Sequence, residues 1–487
     1  MKPLSPTAIE EIRSGICDAV PKGTSEHGGT LERKFLYLPP RHSQALSPDN
    51  PLVVGIRGAG KSVWWAALQS PKHRDLIARA LPKSDISRAS LVTPGFGETE
   101  QPELYPDKRT LRALLKQGYS AVNIWRTVVA YHTWGKLADS SLKTCGSWAE
   151  RTQWIEEHPE QTAKAFAGYE KLQRSTRNIH LILFDAIDRT ADAWEDLRHL
   201  LRGLLQLLLE FRSFQGIRAK AFVRPDMLDD SAVVSFRDAS KITANSVELR
   251  WDRADLYSLF WQRLANTKGG QEFRKLCKIA GVEQWAQVEE TWQIPKVLQV
   301  NEDVQRNVFH ELAGQWMGTD RRRGFPYTWL PSHLADAADQ VSPRSFLAAL
   351  RTAAEQSNVR GGNKALHYEA IKKGVQAAST IRVEEVSEDF YWVPTLMEPL
   401  RALVIPCSFD EIRDRWQKGQ VETAIRKQLG TANGLSPKRL DLGLEGLCQD
   451  MLSLALFSEM RDRRINMPDV YRVGFGLGRR GGVKPIS

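Results

Sequence analysis

At 487 residues, 42% of them hydrophobic, the chain is long enough for two to four packed domains, which excludes a disordered or fibrous protein. Its 68 lysines and arginines against 58 aspartates and glutamates leave a net charge of +10, which permits an acidic partner without demanding one. Cys17, Cys145, Cys277, Cys407 and Cys448 show no metal-ligand spacing and read as reduced, mostly buried thiols with no zinc site.

The opening MKPLSPTAIEEIRSG has no signal-peptide pattern and no apolar run reaches a membrane span, so a cytoplasmic location with no membrane contact is expected. The 15 tryptophans, dispersed from Trp64 to Trp416 without a period, are expected to pack cores.

In chain order, residues 1–50 form an N-terminal extension in which the lone His42 is given no role. Then PLVVGIRGAGKSVWWAAL reads as a short strand, Leu52 to Val54, a glycine-rich turn and a helix. Gly55, Arg57, Gly58, Ala59, Gly60, Lys61 and Ser62 fit GxxxxGK[ST] in the right context. Glycines there let backbone N–H groups turn around phosphates. Lys61 is expected on the β- and γ-phosphates of ATP, and Ser62 on Mg²⁺. Arg57 either steadies a phosphate or points to solvent.

ASLVTPGFG reads as the second strand. A mostly helical insertion follows, about residues 98–172, polar on one face and Trp-rich on the other, which suits a docking surface. The apolar run of IHLILFDAIDRT, ending in Asp185, has the pattern of a fully buried parallel strand. Asp185 at its tip is the expected Mg²⁺ carboxylate. Ala186 stands where many ATPases carry a glutamate, so Asp188 becomes the expected base that activates water; alternatively it caps the next helix, a task open equally to Thr190 or Asp192. That helix carries apolar residues at 194, 197, 200, 201, 204, 205, 208 and 211, a core-facing stripe. GIRAKAFVRPDML supplies a further strand ending in Arg224 and Asp226, and NSVELRWDRADLYSLFWQRLA a short strand running into a helix.

The phosphate loop, LILFDAIDR, AKAFVRPDM and VELRWDRADLYSLFWQRL together resemble the AAA+/STAND-like P-loop ATPases of bacterial antiphage defence, related to KAP and NACHT-type NTPases. In that family the acidic strand commonly ends D-x-L-D-R/E; DAID keeps both acids and places Ile187 at the leucine. The likeness spans about residues 50–355. It implies an α/β fold: an ASCE P-loop parallel sheet over 51–265 and a helical lid over 266–355, preceded by the 1–50 extension. Over 356–487, helix-like stretches and then a helix, a strand, the basic turn RDRR and a second strand read as a C-terminal helical and winged-helix-like domain. The resemblance also implies that Arg224 senses the γ-phosphate, and that QVSPRSFLAALRTAA is a lid segment with Pro343 near the base and Arg344 near the phosphates.

The three arginines of GTDRRRGF form either a solubilising loop or an arginine finger for a neighbouring subunit. From Phe457 to Ser487, seven basic residues face three acids, and this basic end either grips duplex DNA or docks a protein, the latter being favoured.

The expectation is therefore a Mg²⁺-dependent ATPase that switches oligomeric state or partner engagement, working as a homo-oligomer with a separate effector protein in antiphage defence. Two alternatives are a DNA-loading or mobile-element ATPase and a nucleotide-bound scaffold with negligible turnover.

Overall fold

The computed structural model describes residues 4–20, 31–135, 137, 140–357, 363–429, 435–480 and 483–485. Two compact units emerge. One is built on Leu38–Arg250; the other is built on Trp251–Ser487 and includes the helix Pro6–Ala19 and the segment Glu32–Tyr37. The first fifty residues thus contribute to both.

The first unit is organised by five strands, β1 (Leu52–Val54), β2 (Leu91–Phe96), β3 (His180–Phe184), β4 (Ile217–Val223) and β5 (Val247–Glu248). All pair in parallel, in the order β2-β3-β4-β1-β5. Every residue of β1 and β3 is buried, which is why these strands read as unbroken apolar runs: both faces of a parallel sheet are covered by its crossover helices. With β4 lying between the phosphate-loop strand and the acidic strand, the fold is the expected α/β P-loop class. Register then decides what meets at the carboxyl edge. Val54 pairs with Val223 and Phe184 with Ala221, so the loops after β1, β3 and β4 leave the sheet side by side.

Helices Lys108–Lys116, Ala121–His132, Trp148–Glu157 and Pro159–Ser175 fill the insertion between β2 and β3, the first three opened by the side-chain caps Asp107, Ser120 and Ser147. Of the four tryptophans there, only Trp154 is partly exposed. Trp125 is fully buried, donates its indole N–H to Leu200 O at 2.8 Å and meets Phe96 and Phe184 edge-on; Trp134 and Trp148 are buried as well. An apolar stripe on a helix beside a sheet is better satisfied by the sheet than by solvent, and the expected docking face is core. The leucines of the helix Trp194–Phe211 are buried as their spacing predicts. His42 is also structural: its Nε2 lies 3.0 Å from Arg250 O, its ring abuts Trp64, and burial pushes its pKa down to about 4.

In the second unit, residues 266–355 carry helices joined by loops, among them Gly270–Ile279, Glu302–Ala313, Pro326–Leu334 and Pro343–Ser357, and an antiparallel hairpin, Ala286–Val288 with Thr291–Gln293. Tyr257, Trp261, Phe309, Tyr327 and Phe346 build an aromatic core. Beyond it, helices Trp392–Met397, Phe409–Lys418, Val421–Gln428 and Gly443–Ser453 precede a hairpin, Ser458–Glu459 with Ile465–Asn466, and Cys407 bridges antiparallel to Ile465. A helix, a strand position at Cys407, three further helices and then a hairpin make the expected winged-helix-like module.

The C-terminal tail turns inward. Phe475 and Leu477 are buried, Gly474 N–H donates to Ser379 Oγ at 2.8 Å, and the fully buried Arg472 holds Asp469, Leu477 O and Val483 O. The stretch around Phe475 therefore packs on its own chain; Gly481, Gly482, Ile486 and Ser487 lie outside the described residues. Cys277, Cys407 and Cys448 are buried, Cys17 and Cys145 partly so, and none of the five forms a disulfide.

Candidate phosphate-binding site

β1 hands over to the loop at Gly55, whose N–H still donates to Val223 O at 3.1 Å. Gly58 at φ 78° and Gly60 at φ 98° then turn the chain through left-handed backbone that glycine alone adopts freely. The helix Lys61–Gln69 begins behind Gly60, which brings no capping side chain, so its opening N–H groups suit an anion. Lys61 Nζ donates to Gly55 O at 2.7 Å and Ile56 O at 3.1 Å, folding the loop around its own lysine. Burial lowers the Lys61 pKa; Asp185 and Asp188 oppose that shift by their charge. Arg57 is partly buried on the loop.

β3 delivers Asp185, 2% exposed, at its carboxyl tip. The Ser62 hydroxyl and the Ala186 N–H donate to its carboxylate; burial nonetheless raises its pKa. Ser62 and Asp185, predicted as metal ligands from segments 123 residues apart by number (185 − 62), are thus in direct contact. Ala186 takes a left-handed conformation (φ 54°), which reverses the chain into the turn Ile187–Arg189 and lifts Asp188 beside Asp185. Asp188 is not a helix cap. The helix Trp194–Phe211 has Ala193 at its N-cap, Thr190 Oγ1 donates to Ile187 O, and Asp192 pairs with Lys108 at 2.6 Å.

β4 contributes Arg224, 6% exposed. Its guanidinium grips Asp226 at two points, Nε–Oδ1 3.1 Å and Nη2–Oδ2 2.8 Å, and reaches Asp188 Oδ2 with Nη1 at 3.3 Å. Lys61, Asp185, Asp188 and Arg224 therefore converge, with Asp226 as an additional member. Sequence reading noted Asp226 only as a strand end. It also missed Glu98, which pairs with Arg189 at 2.6 Å; the signal was an acid two residues past the tip of β2, a strand adjacent to the acidic one.

Pro343 and Arg344 belong to the second unit, where Pro343 opens the helix Pro343–Ser357 and Arg344 Nη1 donates to Glu385 Oε1 at 2.7 Å. Arg321, Arg322 and Arg323 are exposed on a single helical turn of that unit. Among the described residues no group of three or more His, Cys, Asp or Glu is placed to hold a metal by itself. Ser62 and Asp185 offer a hydroxyl and a carboxylate, hard oxygen donors that fit Mg²⁺ when phosphate oxygens and water complete the shell.

No helix among the described residues is long and apolar enough to cross a membrane. The chain matches no protein-family model, and no curated protein matches it by sequence. Among solved structures it is similar to the Aeropyrum pernix ORC1 protein in complex with DNA, at 15% identity and a TM-score of 0.35 over 90% of this chain and 92% of that one. It is also similar to the Aeropyrum pernix ORC2 protein in ADPNP–ADP complexes, at 12% and 0.36 over 90% and 94%, and to CDC6P from Pyrobaculum aerophilum, at 11% and 0.28 over 90% and 93%. These are distant likenesses, and the functional reading of this chain is carried by its own phosphate loop and acidic strand.

Proposed function

We propose that the chain is a Mg²⁺-dependent ATPase whose nucleotide cycle switches its engagement with partners. The observation that carries this is the contact of Ser62 with Asp185 beneath a glycine loop, with Arg224 reaching Asp188 across it. In this reading Gly55, Gly58, Ala59 and Gly60 wrap the phosphates with backbone N–H groups, and Lys61 leaves its loop carbonyls for the β- and γ-phosphates. Ser62 and Asp185 hold Mg²⁺, which when bound neutralises charge developing on the phosphoryl oxygens. Asp188 takes a proton from water, and Arg224, still clasped by Asp226, exchanges the Asp188 carboxylate for the γ-phosphate. Pro343 and Arg344 keep their proposed place as a lid sensor.

Lys61→Ala tests the reading. Removing the point charge should abolish ATP binding or weaken it at least tenfold by the usual scale of a lost charge-assisted contact; unchanged affinity and turnover, measured by calorimetry and phosphate release, would overturn it.

The antiphage setting, the homo-oligomer and the separate effector rest on family resemblance alone. A DNA-engaging ATPase is the reading with a specific observation behind it: the wing turn exposes Arg461, Arg463 and Arg464, with Arg464 paired to Asp462 at 2.8 Å. The helix ahead of the wing exposes Glu445, Gln449 and Ser453 and no basic residue, so duplex contact would run through the wing and phosphates. Replacing the three arginines by serine should reduce the slope of log affinity against log salt by about three. An unaltered slope assigns the module to protein contacts.

A further inference from the structure

At the amino-terminal ends of β1 and β4, opposite the phosphate loop, lies a cavity of about 390 Å³ lined by Asp49, Arg88, Arg212 and Arg218, with Leu208 and Phe211 in its wall. Its size is in the range of small-molecule pockets. Asp49 sits between two guanidinium groups: Arg88 Nη1 donates to Oδ2 at 2.9 Å and Arg218 Nε to Oδ1 at 3.1 Å. These cations hold the Asp49 carboxyl below its ordinary pKa, so it is charged at neutral pH.

The charges do not balance. Arg212 adds a third guanidinium, partly anchored by the Lys241 carbonyl at 2.6 Å. Lys220, two residues beyond Arg218 and on the same face of β4, is fully buried and donates to the carbonyls of Ala45 and Asn50. Glu170, next to the Gln215 that also lines the cavity, accepts the N–H groups of Gln215 and Gly216 at 2.7 and 2.8 Å. Three guanidinium groups thus line the cavity with one carboxylate, Asp49, while Glu170 beside it is taken up by backbone N–H groups. One donor is also unspent: Arg218 Nη1 is buried and meets no acceptor among the described residues. A buried guanidinium N–H without an acceptor costs stability unless a ligand supplies one.

We propose that this cavity binds a phosphate-bearing small molecule, separately from the nucleotide site. A carboxylate ligand brings a single charge, whereas a phosphate brings about two and three oxygens for the guanidinium forks of Arg88, Arg212 and Arg218. The apolar wall of Leu208 and Phe211 lies against the non-ionic part of the ligand.

The test uses the full chain with inorganic pyrophosphate as probe. In Lys61→Ala, which removes the phosphate-loop contribution, calorimetry should still find one equivalent bound. Arg212→Gln in that background leaves both Asp49 pairs intact and should weaken binding about tenfold or more; Arg218→Gln should do the same. In the wild-type chain Arg212→Gln should lower the stoichiometry from two to one. If the phosphate-loop reading alone is wrong, the wild-type stoichiometry is one and Arg212→Gln abolishes it. A Lys61→Ala chain that keeps its melting transition yet binds no pyrophosphate, or binding indifferent to both arginines, overturns the proposal. So does a site that takes duplex DNA through Arg212 and Arg218 and refuses pyrophosphate.

Discussion

The two ends of the five-stranded sheet both gather cations around carboxylates, yet they do so in opposite proportions. At the carboxyl edge, Asp185, Asp188 and Asp226 face Lys61 and Arg224. At the amino edge, Arg88 and Arg218 pair with Asp49, Arg212 lines the same cavity, and Lys220 lies buried within reach of the Asp49 charge. An acid-rich site with a glycine loop suits a phosphate accompanied by a divalent cation, while a cation-rich site takes an anion without one. The difference teaches that one sheet can present two phosphate chemistries, because its parallel strands all start at one edge and all finish at the other.

The largest expected effect lies at the acid-rich end. Asp188→Asn should slow ATP turnover by roughly 10²-fold or more while nucleotide stays bound, the usual scale for a lost positioned base. Single-turnover phosphate release with a parallel binding assay checks it; turnover at the wild-type rate would move the base elsewhere, with Glu98 the next acid to replace.

A smaller effect sharpens the role of Asp226. Its two-point clasp aims Arg224 at Asp188, so Asp226→Asn should reduce the preference for ATP over ADP by about tenfold, leaving ADP affinity nearly unchanged. Equal losses for both nucleotides would reduce Asp226 to a structural partner.

The smallest effect belongs to the cation-rich end and is a pH dependence. Burial lowers the Lys220 pKa to about 7, against an ordinary lysine value of 10.5 in the unfolded chain. Between these values the unfolded state binds more protons, so stability rises with pH across that window, and below about pH 7 the full cost of burying the ammonium is present. Thermal melts from pH 7 to 9 should show a rising Tm that is flatter in Lys220→Met; parallel slopes would place the titration on another group.

Legibility in the sequence followed how contiguous each feature is. The glycine loop and its lysine lie within eight residues, Gly55 to Ser62, and the buried acidic strand within six, His180 to Asp185, so local backbone needs and an unbroken apolar run announced both. The Trp-rich insertion misled because helical periodicity marks an apolar face without saying what covers it; Phe96 and Phe184 cover Trp125.

By itself, then, the sequence determined the strand–loop–helix that cradles phosphate, the acidic strand and the buried stripe of the helix Trp194–Phe211, since each depends on residues a few positions apart. Only the tertiary structure decided that Asp226 clasps Arg224, that the tail around Phe475 turns inward, and that Arg218 meets Asp49 across 169 positions of chain. Such pairings follow from strand order and register, which arise when the whole sheet closes over its core and which no short window of residues encodes.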